Sequence, residues 1–492
     1  MLKFFLQLQT KIYKKVVKTV KPSKLEWMLA VVLFLLIFAS WNFGDTQVIV
    51  GHQIDFADSL LHGEIMNFYQ RTYDHAMYDK THGLGERGAS SYDLVVNFVF
   101  GLWGIPNYLL GNSTQGGGGI RFAHSFWKIL YGKSLFFFAF VICAILVYKI
   151  CRELELSENK SRWASFIYFT SSMAVNSVCL VGNCDSLGAA LTLAGILAYI
   201  RQRDRESFLW FVLAFPFKQQ CAFIFLPLML MRDKNLFRVG FKLFVMAAFV
   251  AVTDLPMRTN PEAFAVKNEF FKIMLKRILG EKLPFLSSNV SIFTVLYGLL
   301  CSWCWLTPEP ESRHDRNTAT LFVSMLSIAI ALSLITSHPQ WFLQLVPYLA
   351  ISIVYYGKTT KELFIFETVG SLGLLGYNFG VYYWVYSPNN AARILLDKFV
   401  ASPGISLKES RALLNQSFLW KFFAKAAGKA HSATAGIYAV CMIVIIFWLC
   451  RPQNADTRTE FNFRPYAIGR MVLNMAACAI PLALFFLSAI SL

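Results

Sequence analysis

The chain has 492 residues, of which 56% are hydrophobic and 16% aromatic, and its mean hydropathy is +0.48. This composition excludes a water-soluble globular protein and indicates a polytopic, all-α membrane protein, because apolar runs of roughly 17 to 25 residues recur along the sequence. The net charge of +17 does not indicate nucleic acid as a partner, since Lys and Arg lie in short segments between apolar runs and no nucleic-acid-binding motif is present.

The chain begins with a basic segment, residues 1–26, which has seven lysines and no acidic residue up to residue 24. The positive-inside rule places this N-terminus in the cytoplasm. No small-residue cleavage site follows the first apolar run, so a cleaved signal peptide is not expected. The predicted location is a multi-pass position in a plasma membrane if the chain is bacterial, or in the endoplasmic reticulum if it is eukaryotic.

The first span, about residues 27–43, leads into a long outer loop over residues 44–133. Carboxylates follow the span at Asp45, Asp55 and Asp58. Solvation at a helix end is the ordinary explanation for any one of them, and a general base is the functional one. The moderately apolar stretch 94–110, interrupted by glycine and proline, is predicted to be a helix lying in the membrane interface.

Spans over about 134–150, 163–180 and 187–200 lead to a run, 208–231, that Phe217-Lys218-Gln219-Gln220 interrupts. Both flanks of this run are basic, so two short helices meeting at Lys218 keep both flanks on one side. The break then lies at membrane depth, where irregular backbone is tolerated only if it is buried in protein or lines a cavity.

The later apolar runs bring the predicted total to about thirteen spans. They are centred on residues 239–252, 290–306, 319–336, 341–356, 363–384, 433–450 and 471–490. Residues 27–356 are predicted to form the functional module and residues 357–492 a set of C-terminal membrane helices. The stretch 386–432 is predicted to be an amphipathic outer segment near anionic headgroups.

Polar clusters on the outer side or at the break are the candidate sites. Asp185 follows Gly182-Asn183-Cys184, where capping of the next helix is an equally good explanation. His338 precedes Pro339 and is explained as well by a turn. Lys218 has no such explanation, because a lysine held within the membrane needs an anionic partner.

These residues resemble integral-membrane GT-C glycosyltransferases, notably the catalytic subunit of GPI mannosyltransferase I and its prokaryotic relatives. Gly182-Asn183-Cys184-Asp185-Ser186 is similar to their Gly-Asn-Ala-Asp-Ser turn. Gly132-Lys133-Ser134-Leu135-Phe136 resembles the opening of their second span. Phe217-Lys218-Gln219-Gln220 resembles their Phe-Lys-Pro-Gln, and His338-Pro339-Gln340-Trp341 resembles their Pro-Gln-Tyr turn. The motifs keep the family order between about residues 28 and 356.

The resemblance implies a GT-C-like bundle and an inverting transferase. The enzyme would move a hexose, of which mannose is one example, from a polyprenyl phosphate donor to the hydroxyl of a glycan or glycolipid at the outer face. Asp45 is the implied general base, with Asp55 as the fallback. The implied substrate-binding residues are Lys133, Asn183, Asp185, Lys218, Gln219, His338 and Gln340. The family's Asp-x-Asp is absent, so neither a metal nor another cofactor is expected.

Two other functions fit some of the same features. A transporter or flippase of a lipid-linked or anionic substrate also uses a lysine at the membrane midplane and a broken helix. The absence of an evident internal repeat argues against that function. A polysaccharide polymerase shares the lipid donor but is expected to have a large outer loop with paired arginines, which the sequence lacks.

Overall fold

A computed structural model describes residues 21–40, 45–81, 89–110, 113–115, 120–122, 126–280, 282–285, 288–334, 337–355, 360–382, 418–449 and 461–490. The fold is all-α apart from two short antiparallel hairpins. The first half contains α1 (Lys24–Ser40), α2 (Asp45–Leu61), α3 (Phe68–Thr81), α4 (Leu94–Leu109), α5 (Phe126–Glu153), α6 (Glu158–Phe169), α7 (Ser172–Val181), α8 (Asp185–Ile200), α9 (Asp204–Phe217) and α10 (Cys221–Arg232).

The second half contains α11 (Leu236–Thr253), α12 (Leu255–Arg258), α13 (Pro261–Ile278), α14 (Ile292–Leu306), α15 (Arg313–Leu334), α16 (Val346–Tyr355), α17 (Thr360–Val381), α18 (Phe418–Leu449) and α19 (Arg464–Ile490). Short 3₁₀ turns cover Ile65–Asn67 and Pro339–Gln344. The hairpins pair β1 (Ser113–Gln115) with β2 (Ile120–Phe122), and β3 (Lys282–Phe285) with β4 (Ser288–Ser291).

Membrane-spanning character is clearest in five helices that are long and apolar enough to cross a bilayer: α5, α11, α15, α18 and α19. The bent pair α6 and α7, with 48° between the two helices, makes a sixth if it counts as one span. Helix α11 exposes Phe237, Phe241 and Phe244, as expected of a surface that faces lipid. The total of thirteen spans remains a prediction, since α4, α8, α10 and α14 are apolar but short.

The predicted outer loop 44–133 contains three helices, α2, α3 and α4, of which only α4 was anticipated. Helix α2 is buried from Ile49 to Ser59 although it carries His52, Gln53 and Asp55. It is enclosed by its neighbours: a Cβ at Gly104 of α4 would lie 2.2 Å from the Gln53 carbonyl oxygen. Helices buried on every side show no amphipathic stripe, which explains why the sequence pattern did not reveal α2.

Ion pairs gather at one end of the bundle, here called the charged end. Arg464 reaches Glu26 at the start of α1, and Arg201 reaches Glu153 at the end of α5 at 2.8 Å. The opposite end, called the site end, has ion pairs of its own, such as those of Arg71 with Asp58 and of Lys267 with Asp254. There the Thr253 hydroxyl donates to Asp93 at 2.7 Å.

Helices α9 and α10 form the predicted broken pair. Lys218, at the C-terminus of α9, has extended backbone, and Gln220 precedes α10, so the interruption covers residues 218–220. Both helices return to the charged end, where Arg232 contacts Asp204. At 1.5 Å per residue they are only about 21 and 18 Å long. Neither helix is long enough to cross a hydrocarbon core of roughly 30 Å, so the break lies at membrane depth.

The C-terminal helices brace the bend between α6 and α7. Arg470 of α19 pairs in bidentate fashion with Glu367 of α17, at 2.5 and 2.6 Å, and both side chains are 2% exposed. Arg470 also donates to the Ile167 carbonyl at 2.9 Å, and Asn474 donates to the Thr170 carbonyl at 3.1 Å. These donors satisfy carbonyls that the bend removes from the helix ladder.

Candidate functional site

The site is built around the turn between α7 and α8, which begins at Gly182. Gly182 has a φ of 61°, and a Cβ there would lie 2.1 Å from the Thr46 hydroxyl oxygen, so only glycine fits. The Thr46 hydroxyl lies 3.2 Å from the Val181 carbonyl and 3.3 Å from that of Gly182. The start of α2 is therefore docked against this turn. The side chain of Asp45, the predicted base, lies outside the described part of the chain.

An ion pair joins the turn to the broken helix. Lys218 Nζ lies 2.9 Å from Asp185 Oδ1, and the side chains are 15% and 1% exposed. Gly188, one turn further along α8, makes room for this approach, because a Cβ there would lie 2.9 Å from Lys218 Cβ. The Gln344 amide nitrogen is 3.4 Å from the Asp185 carbonyl oxygen and ties the same turn to the Pro339–Gln344 segment.

His338 lies between two cations in the connection before the Pro339–Gln344 turn. Arg277 NH1 is 3.0 Å from His338 Nε2, and because a guanidinium can only donate, this nitrogen accepts and Nδ1 carries the proton. Burial, then Arg277, then Lys218 lower the pKa of His338 from 6.5 to about 4. His338 is thus neutral at pH 7, and the second cation of the site is Arg277.

Trp341 connects the two halves of this cluster. Its ring lies 5.6 Å from Lys218 Nζ and 5.2 Å from the imidazole of His338, in an edge-on arrangement. A cation near an aromatic face is favoured electrostatically, and the ring also excludes water from one side of the ammonium. Lys218, Trp341, His338 and Arg277 therefore form a continuous row, which we call the cation row.

The other predicted binding residues surround the row in different ways. The Asn183 side-chain oxygen accepts a hydrogen bond from the Tyr92 hydroxyl at 3.0 Å. Gln340 is buried, and its side-chain oxygen has no hydrogen-bond partner among the described residues. Gln219 is exposed in the break itself. A buried amide oxygen without a donor is costly, which marks Gln340 as a position where a ligand hydroxyl could donate.

Lys133 was predicted to bind substrate, but its ammonium contacts the protein backbone. Its ammonium is fully buried and donates to the Phe38 carbonyl at 2.8 Å and the Cys179 carbonyl at 2.6 Å. These contacts tie α1, α5 and α7 together beneath the Gly182 turn. The geometry favours a bracing role for Lys133, and a substrate contact remains a prediction.

Asp55, the fallback base, lies within α2 and is 5% exposed. Its nearest basic side chain is that of His75 of α3, whose Nδ1 is 3.7 Å from Asp55 Oδ2. Neighbouring Asp58 is held by Arg71 and by His62. Asp55 thus belongs to a buried carboxylate–imidazole pair about nine residues along α2 from the Gly182 turn, roughly 14 Å away by helical rise.

Arg277 is not among the residues that the sequence predicts for the site. The signal available was the run of basic residues in α13, Lys272, Lys276 and Arg277, on a helix that also exposes apolar side chains. That pattern is typical of an interfacial helix, but it does not show which basic residue turns inward. The 61-residue separation between Arg277 and His338 is bridged only by the tertiary fold.

The assembled geometry brings a cation row, a buried carboxylate and an unsatisfied amide to the site end of the bundle, beside the start of α2. Comparison with protein-family models, with curated proteins and with solved structures finds no match to this chain.

Proposed function

We propose that the chain is an inverting, GT-C-type glycosyltransferase that takes a sugar from a polyprenyl phosphate and gives it to an acceptor hydroxyl at the site end of the membrane. The observation that carries the proposal is the pairing of Lys218 with Asp185 at the helix break, with Arg277 at the far end of the same row. Two cations at a site enclosed by membrane helices suit a phosphate that arrives on a lipid.

The reaction needs little beyond a base and a place for the leaving phosphate. The acceptor oxygen forms a bond to the anomeric carbon as the bond from that carbon to the phosphate oxygen breaks. The hydroxyl proton passes to a carboxylate, and the lipid leaves as a phosphate monoester with one more negative charge than before. Lys218 and Arg277 stabilise that added charge, which develops in the transition state.

The base is assigned to Asp45. Its helix begins against the Gly182 turn through Thr46, so its backbone lies beside the residues that lead to Asp185. Asp55 stays the alternative. Its burial against His75 keeps it from solvent, and an acceptor hydroxyl would have to enter between α2 and α3 to reach it.

Transfer by purified protein tests the proposal directly. Full-length chain reconstituted with a radiolabelled polyprenyl-phosphate hexose and a mixed glycan acceptor should form labelled product, and Lys218→Met should reduce the rate at least tenfold. A transporter or flippase would instead move the labelled lipid between leaflets without forming product. That outcome, or transfer unaffected by Lys218→Met, would overturn the assignment of the site.

A further inference from the structure

A second cluster of charge lies at the charged end, remote from the cation row. A cavity of about 570 Å³ is lined there by the ends of α5, α8 and α15. Four arginines, Arg201, Arg203, Arg313 and Arg316, share it with one carboxylate, Glu153. Four guanidinium groups against one carboxylate leave the cavity strongly positive.

The backbone on both sides of the cavity is held in an unusual conformation. Gln202 and Glu155 are the two non-glycine residues with positive φ in the described ranges, at 62° and 63°. Each follows the end of a helix and is fixed by the hydrogen bonds of a Schellman motif, from Arg203 N to the Ala198 carbonyl and from Leu156 N to the Cys151 carbonyl. A left-handed residue in this position is a common way to end a helix, so the two caps fix where α5 and α8 stop beside the cavity.

The acidic residues nearby do not neutralise the arginines. Glu153 is shared, at 2.8 Å from Arg201 and 3.3 Å from Arg313. Glu206 and Glu155 reach Arg203 and Arg313 from the rim, but these are exposed pairs at 3.2 and 3.7 Å, which contribute little.

Arg316 adds a more buried donor. Its Nε is buried and has no hydrogen-bond partner in the described structure, while its NH1 donates to the Glu311 carbonyl at 2.8 Å. A buried N–H without an acceptor costs free energy, so an incoming anion gains a hydrogen bond that the protein alone does not supply.

Helix ends do not account for this excess. The C-termini of α5 and α8 favour cations, but the N-termini of α9 and α15 begin at Asp204 and Arg313 in the same region and have the opposite polarity. The dipoles of α5 and α8 therefore stabilise the arginines, while those of α9 and α15 oppose them, so helix dipoles offset only part of the positive charge.

We infer that this cavity binds a phosphate-bearing anion. Guanidinium groups match phosphate oxygens in a bidentate geometry, and the four around this cavity offer more donors than the two oxygens of one carboxylate can accept. The phosphate belongs either to the headgroup of an anionic phospholipid, since the cavity lies at the end of the membrane helices, or to a soluble metabolite. The inference does not depend on the proposed transferase activity, because no residue that lines the cavity belongs to the cation row.

Thermal unfolding of the full-length chain separates the two sources. In one arm the chain is in neutral detergent and inorganic pyrophosphate is added. In the other arm the chain in nanodiscs of phosphatidylglycerol is compared with the chain in nanodiscs of phosphatidylcholine. Stabilisation by phosphatidylglycerol alone identifies a lipid headgroup, and stabilisation by pyrophosphate identifies a soluble phosphate. In either case Arg201→Gln and Arg316→Gln should each weaken the apparent affinity roughly tenfold. Arg162→Gln is the matched control, because Arg162 pairs with Glu158 at the same end but does not line the cavity.

Glu153→Gln gives a test of opposite sign that remains available if an arginine variant fails to fold. Removing the one carboxylate that lines the cavity should tighten binding of the same probe. The inference is overturned if neither probe raises the unfolding temperature of the wild type. It is also overturned if the affinity of Glu153→Gln does not exceed that of the wild type, or if Arg201→Gln and Arg162→Gln behave alike.

Discussion

Lys218 and Asp185 are 33 residues apart in the sequence and form an ion pair of 2.9 Å in the structure, with the carboxylate 1% and the lysine 15% exposed. Asp185 fixes the position of the Lys218 ammonium. The exposed part of the Lys218 side chain is the part that a ligand can reach. A buried carboxylate without its cation is strongly destabilising. The pair therefore has a structural role that any test of its function must separate from binding.

The first prediction concerns Lys218. Lys218→Met should raise the KM for the lipid donor and lower kcat, each roughly tenfold, because one charge serves both the bound and the departing phosphate. The measurement is steady-state transfer against donor concentration. The double variant Lys218→Met with Asp185→Asn removes both charges and should restore the unfolding temperature but not the activity.

Two further variants complete that test. Arg277→Gln, at the other end of the cation row, should show the same pattern with less effect on folding, since Arg277 is only half-buried. Lys242→Met removes a lysine that pairs with Asp233 at 3.4 Å near the charged end and should leave both constants unchanged. Unaltered donor dependence in both Lys218→Met and Arg277→Gln would contradict the phosphate assignment.

The second prediction concerns the base. Asp45→Asn should fold normally and lower kcat by roughly 10²–10⁴-fold, the usual contribution of a general base. Asp55→Asn should mainly lower the unfolding temperature, because Asp55 is buried against His75. Asp74→Asn, at an exposed position on α3, is the control and should do neither. If Asp55→Asn is inactive at normal stability while Asp45→Asn turns over, the base is Asp55.

The break at Lys218 was predictable from sequence, because Lys-Gln-Gln within an apolar run is costly in a continuous membrane helix. The order of the polar motifs along the chain also indicated which motifs would meet. The helix α2 was not predictable, since its buried polar residues His52, Gln53 and Asp55 mimic a loop. The contact of Arg277 with His338 was not predictable either. It depends on the angle at which α13 crosses the site end, which is set by packing rather than by local sequence.

The third prediction is a pH dependence due to His338, whose pKa is lowered to about 4 by burial and by the adjacent cations. A histidine that binds its proton less tightly in the folded than in the unfolded chain has no effect above pH 6.5. Below that pH the unfolded chain takes up the proton before the folded chain does. The free energy of unfolding therefore falls by up to about 1.4 kcal/mol per pH unit as the pH approaches 4. His338→Gln should remove this loss. The check is the unfolding temperature between pH 7.5 and 4.5, taken as the difference between wild type and variant. A constant difference would contradict it.

The last prediction concerns the packing of α17 on α18, which depends on four glycines of α17: Gly370, Gly373, Gly376 and Gly380. A Cβ at Gly380 would lie 2.5 Å from the Ala427 carbonyl oxygen, and one at Gly373 would lie 3.0 Å from that of Thr434. Small residues of this kind let membrane helices approach closely. Gly380→Ala should therefore lower stability by about 1–3 kcal/mol, and Gly373→Ala by less, since its contact is longer.

Gly436 of α18 provides the control of opposite sign. Nothing lies within 4 Å of a Cβ built there, so Gly436→Ala gains only the reduced flexibility of the unfolded chain, worth roughly 0.5–1 kcal/mol in a helix. Thermal unfolding should thus rank the proteins as Gly436→Ala, wild type, Gly373→Ala and Gly380→Ala, from most to least stable. Because all three variants add the same methyl group, a common shift would mean that backbone contact with α18 does not control this interface.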